Sequence, residues 1–197
     1  GVTVRSEDVM SNTIDFEQQD KEYIANTYGR FNVCFEKGKG SLLWDVEGKE
    51  YIDLGSGIGV TAFGVDDDEW SKAVIAQTHA LNHISNLYYS VPQIKLAEML
   101  CKRTGMKKVF FCNSGAESNE CAIKAARKYS HDKYGDGRNV IVTLVNSFHG
   151  RTVTTLSATG QDVFHQHFFP FTEGFVHTPA NDIDAALKVL ANPAVCA

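Results

Sequence analysis

Long apolar runs are absent. No stretch of about 18 apolar residues, the length a membrane-crossing helix needs, occurs in the 197 residues. Clustered positive charge is also missing: 19 Lys and Arg stand against 24 Asp and Glu, a net charge of -5. A nucleic-acid surface needs a basic patch to displace counterions, so nucleic-acid partners are not expected. Residues 1–15 mix charges with polar groups and lack the apolar segment of a secretory signal, so no membrane partner and a cytoplasmic location are expected. The five cysteines (Cys34, Cys101, Cys112, Cys121, Cys196) form no CxxC pair and are odd in number. That pattern argues against a disulfide framework or a zinc site, and the five thiols are expected reduced, each as a small buried hydrophobe. Neither GxGxxG nor GxxxxGK[ST] occurs, which removes the dinucleotide and nucleoside-triphosphate readings.

What is present is an ordinary globular composition, 43% hydrophobic and 22% charged. The chain divides by pattern. Residues 16–27 read as a polar helix or arm. Short alternating stretches at 32–36, 41–45 and 50–54, separated by Gly-Lys-Gly (38–40) and Glu47-Gly48, predict a small antiparallel meander. After a glycine-rich stretch (55–64), helical and strand patterns alternate. Helices are expected at 69–82, with Trp70, Ala73, Val74 and Gln77 on one face, at 94–104 behind Pro92, at 117–131, and at 182–190 with Asp182 as cap. Buried strands are expected at 108–112 and 139–145. This alternation is the mark of α/β architecture with a mostly parallel sheet.

Two junctions carry chemistry. At the first, Val109 to Glu120, a strand pattern passes into a helix through Asn113-Ser114-Gly115-Ala116. A helix start leaves backbone N–H groups unpaired and carries partial positive charge, so it can hold a phosphate. Gly115 lets the backbone approach an anion, and Ser114 adds a hydroxyl; Ser114 reads equally well as a plain helix cap. At the second, the apolar run 140–145 ends in Asn146-Ser147-Phe148-His149-Gly150-Arg151. Phe148 can stack on a flat heteroaromatic ring, and Arg151 can grip a carboxylate with its planar fork. Taken singly, Phe148 reads as core, Arg151 as a solvated charge and His149 as a turn residue. Lys72, the single Ser-Lys pair, reads as a solvated face residue.

Together FFCNSGAESNECAIKAARKY (110–129) and NSFHGRTVTTLSATG (146–160) resemble the class III aminotransferases, fold-type I enzymes dependent on pyridoxal phosphate. ANTYGRF (25–31) and EKGKGSLLWDVEGKEYIDLGSGIGV (36–60) resemble that family's amino-terminal region, and HISNLYYSVPQ (83–93) resembles its acetylornithine branch. The resemblance implies a three-layer α/β/α large domain, incomplete here, from residue 59 to 197. It places residues 1–58 in an amino-terminal segment belonging to the small domain. It assigns the cofactor phosphate to Ser114, Gly115 and Ala116, the pyridine ring to Phe148, and substrate contacts to Arg151 and Tyr28. Glu117, Asn119 and Glu120 are read as helix-terminus support. Amino-acid and 2-oxo-acid substrates and a homodimer follow as expected partners.

The chain departs from the family at Phe63 to Asp68, at Pro179-Ala180-Asn181-Asp182, and at Ser118, where alanine is usual. The resemblance places the Schiff-base lysine beyond residue 197, so no catalytic residue is assigned and the 197 residues alone are expected to be inactive. Pro193 to Ala197 resemble the start of a further strand. The implied reaction moves an amino group between N-acetylornithine and 2-oxoglutarate. Ornithine, succinylornithine or 4-aminobutyrate as donor, and a non-catalytic ligand- or partner-binding fragment, stand as alternatives.

Overall fold

A computed structural model describes residues 13–197. The expectation concerning residues 1–12, the lack of a signal, lies outside the described residues. The described chain forms two compact units, divided between Ser90 and Val91.

The first unit opens with helix α1 (Thr13–Tyr23) and continues into the meander: β1 (Phe35–Lys39), β2 (Leu42–Asp45) and β3 (Glu50–Ile52), antiparallel in sequence order. β1 and β2 pair with a bulge between Phe35 and Lys37, and Leu43 faces Tyr51 across β2 and β3. One buried carboxylate, Asp45, organises the second turn. It accepts the N–H groups of Glu47 at 3.0 Å and Lys49 at 2.8 Å and the Tyr51 hydroxyl at 2.9 Å. Burial alone would raise its pKa, but these three donors outweigh that and hold it below the usual carboxylate value. The glycine-rich stretch forms a short left-handed turn, α2 (Ser56–Gly59), whose four residues all have positive φ. Helix α3 (Asp68–Leu81) begins where the side chain of Asp67 caps the N–H of Trp70 at 2.8 Å. Its expected inner face is not covered: Trp70 is 57% and Val74 43% exposed.

The second unit begins with α4 (Val91–Thr104), whose second residue is Pro92, where a missing N–H costs little. Then come α5 (Gly115–Tyr134), β4 (Ile141–Leu144), α6 (Val153–Ala158), a 3-10 turn (Asp162–Phe164), β5 (Phe175–Thr178) and α7 (Ile183–Leu190). β4 and β5 are parallel, Ile141 beside Phe175 and Leu144 beside Thr178. On the other edge of β4, Val195 bridges Val140 in the parallel sense, and Val142 donates to the Ala197 carbonyl at 2.8 Å. Pro193 to Ala197 thus begin a strand as expected, and β4 is central. Ile123 of α5, Ile141 and Ala158 form the buried cluster, with Phe175 and Cys196 against it. Asp182 caps α7 by accepting the N–H of Ala185 at 2.9 Å.

Two expectations fail. Residues 108–112 are not a strand: a strand exists by its ladder, and among the described residues none pairs with this segment. Burial alternates along it, and Phe110 is 62% exposed. The cysteines are not buried: Cys112 is exposed and the other four are half-buried, all free. Among the described residues no helix is long and apolar enough to cross a membrane.

Candidate cofactor and substrate site

Ser114 ends the extended segment with φ -154 and ψ 160, and its hydroxyl accepts the N–H of Glu117 at 3.2 Å. The cap reading of Ser114 is therefore correct, but it does not use the hydroxyl proton fully. The nearest acceptor for that proton is the Glu117 carboxylate at 3.5 Å, a weak contact. Glu117 turns back over the helix start and accepts the N–H of Asn113 at 2.6 Å. Within the unit, the N–H groups of Gly115 and Ala116 have no intrahelical acceptor, as the first turn dictates. Nothing lies within 4 Å of the position a Gly115 side chain would occupy, so the space outside that turn is open. Behind it runs a 20-residue helix whose dipole favours an anion there.

The second junction lies against this helix start. β4 ends at Leu144, Asn146 takes a left-handed φ of 64°, and the chain turns through 147–151. Gly150, with φ 133°, presses on Ala116: a side chain on Gly150 would stand 2.7 Å from the Ala116 Cβ. Asn119 of α5 donates to the His149 carbonyl at 2.8 Å, and the Glu120 carboxylate accepts the Thr152 hydroxyl. Phe148 is 55% exposed, its ring 6.1 Å from that of Phe164, and the Arg151 guanidinium carbon lies 5.8 Å from the Phe148 ring centre. Ser114, Gly115, Ala116, Phe148 and Arg151 are thus gathered in one unit around two abutting turns. His149 is half-buried, and its Nε2 lacks a hydrogen-bond partner among the described residues. Tyr28 belongs to the first unit, where it is exposed and lines a concavity with Phe16, Asp20 and Arg30.

Sequence reasoning missed the threonines of α6. Thr152 caps this helix in a reciprocal box with Thr155, which is fully buried, and Thr159 accepts the His149 N–H at 3.0 Å. The sequence signal was faint: Thr155 stands where the usual capping box has Glu or Gln.

An anion-ready helix start beside an exposed ring and an arginine, at the carboxyl end of a parallel strand, is the kind of place where α/β proteins bind phosphorylated ligands. The model of the family Aminotransferase class-III matches residues 23–194, and the chain belongs to that family. It is 56% identical over 181 residues to the acetylornithine aminotransferase of Haemophilus ducreyi, covering 92% of this chain and 46% of that protein. It is 43% identical over 181 residues to the acetylornithine aminotransferase of Methanocaldococcus jannaschii, covering 92% and 45%. The ornithine aminotransferase of Toxoplasma gondii superposes with a TM-score of 0.89 at 28% identity, over 95% of this chain and 45% of that one. The acetylornithine aminotransferase of Elizabethkingia anophelis gives 0.77 at 26% identity, over 95% and 44%. The α/β fold of this family is thereby shared across nearly the whole chain, and the chain spans under half the length of these relatives.

Proposed function

We propose that the protein to which this chain belongs is a pyridoxal-phosphate-dependent acetylornithine aminotransferase. It exchanges an amino group between N-acetylornithine and 2-oxoglutarate, a step of arginine biosynthesis, as a cytoplasmic homodimer. In this reading residues 1–58 belong to the small domain and residues 59–197 to the first part of the large one. The observation that carries it is the contact of the 148–151 turn with the start of α5, which sets an open anion cradle beside an exposed aromatic and an arginine.

The residues present fit the cofactor. The free N–H groups of Gly115 and Ala116 and the Ser114 hydroxyl would hold its phosphate, and the helix dipole would add to their attraction. Phe148 would cover one face of its ring, a contact worth about 1 kcal/mol beyond area burial. Bound there, pyridoxal phosphate supplies an electron sink at the substrate carbon. Arg151 would grip a substrate carboxylate in bidentate fashion and hold the substrate over the ring. Tyr28 as a substrate contact rests on its motif alone.

The donor preference rests on the relatives of 43% to 56% identity, which carry the acetylornithine name. Ornithine as donor is the second reading, favoured by the structural likeness to an ornithine aminotransferase. Assaying the full-length protein with pyridoxal phosphate, 2-oxoglutarate and a donor panel separates them. Glutamate formed fastest from N-acetylornithine supports the proposal. A preference for ornithine, succinylornithine or 4-aminobutyrate overturns the donor, and no glutamate with any donor overturns the enzyme.

A further inference from the structure

Glu120 sits in the second turn of α5, facing the turn that carries Arg151, and the proposed chemistry gives it no task. Its carboxylate accepts the Thr152 hydroxyl. A carboxylate offers no proton, so Thr152 must be the donor in that bond. The rest of the pattern then has one direction. With its proton committed, Thr152 Oγ1 can only accept from Thr155 Oγ1, 2.6 Å away. Thr155 Oγ1 in turn accepts the Thr152 N–H at 3.1 Å. Thr155 is fully buried and anchors the inner end of this network, while the Thr152–Glu120 bond lies at its exposed end. One residue earlier on the same helix, Asn119 holds the His149 carbonyl at 2.8 Å. Arg151 therefore lies between two anchors, His149 and Thr152, both fastened to α5 within five residues of the Gly115 and Ala116 N–H groups.

We propose that Glu120 is a positioning residue for substrate-carboxylate capture: through Thr152 it fixes Arg151 relative to the phosphate-binding first turn of α5. The proposal rests on the role given to Arg151 above. The distance between substrate carboxylate and cofactor phosphate is set by one rigid helix rather than by two independent loops. Loss of the strut loosens the carboxylate site and leaves the phosphate site, built from Ser114, Gly115 and Ala116, in place.

The test uses the full-length protein loaded with pyridoxal phosphate. Thr152→Val removes the donor, Thr152→Ser keeps it, and Glu120→Gln keeps the volume while removing the charge. Thr152→Val is expected to raise KM for 2-oxoglutarate about 5- to 10-fold, with kcat within about 2-fold, the signature of lost uniform binding. Glu120→Gln is expected to raise KM about 2- to 3-fold, a charged acceptor being roughly twice as strong as a neutral one. Thr152→Ser should behave as wild type, and the visible absorption of the cofactor should be unchanged in all three. Ile123→Val, a buried change on the same helix, provides the structural control. An equal rise in KM for Ile123→Val at equal loss of melting temperature overturns the proposal, as does wild-type KM in both Thr152→Val and Glu120→Gln. Arg151→Gln separates the two levels of argument. If it raises KM while the strut variants do not, the strut alone fails; if it leaves KM unchanged, the carboxylate role of Arg151 fails and the strut proposal with it.

Discussion

Gly150 lies against Ala116 with no room for a methyl group between them. A Cβ on Gly150 would stand 2.7 Å from the Ala116 Cβ, 3.0 Å from its Cα and 2.6 Å from the Thr155 hydroxyl. Two of these three neighbours belong to the first turn of a helix and cannot swing aside. The φ of 133° is in addition one that side chains rarely adopt. Gly150→Ala is therefore expected to destabilise the protein by about 1 to 3 kcal/mol, the range for overpacking a tight contact. It should also weaken cofactor affinity, because relief comes by parting the 148–151 turn from α5. Urea unfolding and cofactor titration of the full-length protein measure the two effects. Unchanged stability would mean that the turn does not press on the helix.

Ser114 has two roles, and they can be pulled apart. Its oxygen caps Glu117, while among the described residues its proton has only a weak acceptor. Ser114→Ala should cost about 1 kcal/mol of stability through the lost cap, and Ser114→Gly only a few tenths. Both should lose the hydroxyl donor to the phosphate equally, weakening cofactor binding by roughly 10-fold, the value of one charge-assisted hydrogen bond. Cofactor affinity that tracks stability across the pair, rather than falling equally in both, would leave Ser114 as a cap and nothing more.

The contrast between those two junctions and their surroundings shows what the residues made legible. Helices with caps and clear periodicity were placed within a few residues: α3 at 68–81 against an expected 69–82, and α7 behind Asp182. The meander followed from its glycines, and β4 from its apolar run. Helix α6 was invisible because Val153, Thr154 and Thr155 are β-branched and poor helix formers. It exists through the Thr152–Thr155 box and the burial of Thr155 to Ala158. Residues 108–112 erred the other way: strand composition is a local property, while a ladder needs a neighbour. The site shows the same division. Ser114, Gly115, Phe148 and Arg151 were nameable from residue chemistry at two chain junctions. The Asn119, Glu120, Thr152 and Thr159 bonds that join the junctions run across 10 to 32 residues of sequence, and no periodicity reports them.

Phe148 offers a half-exposed ring whose near neighbours are Phe164 and the Arg151 guanidinium. Phe148→Leu keeps most of the apolar area and removes the flat face. The expected result is cofactor binding weaker by about 5-fold, corresponding to roughly 1 kcal/mol of ring stacking, with melting temperature of the cofactor-free protein nearly unchanged. A large loss of melting temperature with unaltered cofactor affinity would return Phe148 to the core.

His177 gives the second unit a pH dependence with a definite sign. Its Nδ1 lies 2.8 Å from the Thr143 hydroxyl, which donates its own proton to the Ala158 carbonyl at 2.7 Å; Nδ1 must then carry the proton of the neutral ring. The His165 ring stacks on it with centroids 5.8 Å apart. Burial first, then the neighbouring His165, push its pKa below the ordinary 6.5; Asp162 pulls the other way, and His149 adds the smallest downward push. The native state thus resists taking a proton that the unfolded chain accepts. Above pH 6.5 both states are neutral at this position and His177 contributes no slope. As pH falls below 6.5 the unfolded chain binds the proton first, and stability drops until the native pKa is reached. His177→Asn should flatten the fall in melting temperature as pH drops below 6.5, while leaving the curve at pH 8 parallel to wild type. Ring-proton titration by NMR gives the native value directly, and a midpoint at or above 6.5 would refute the buried, neutral assignment.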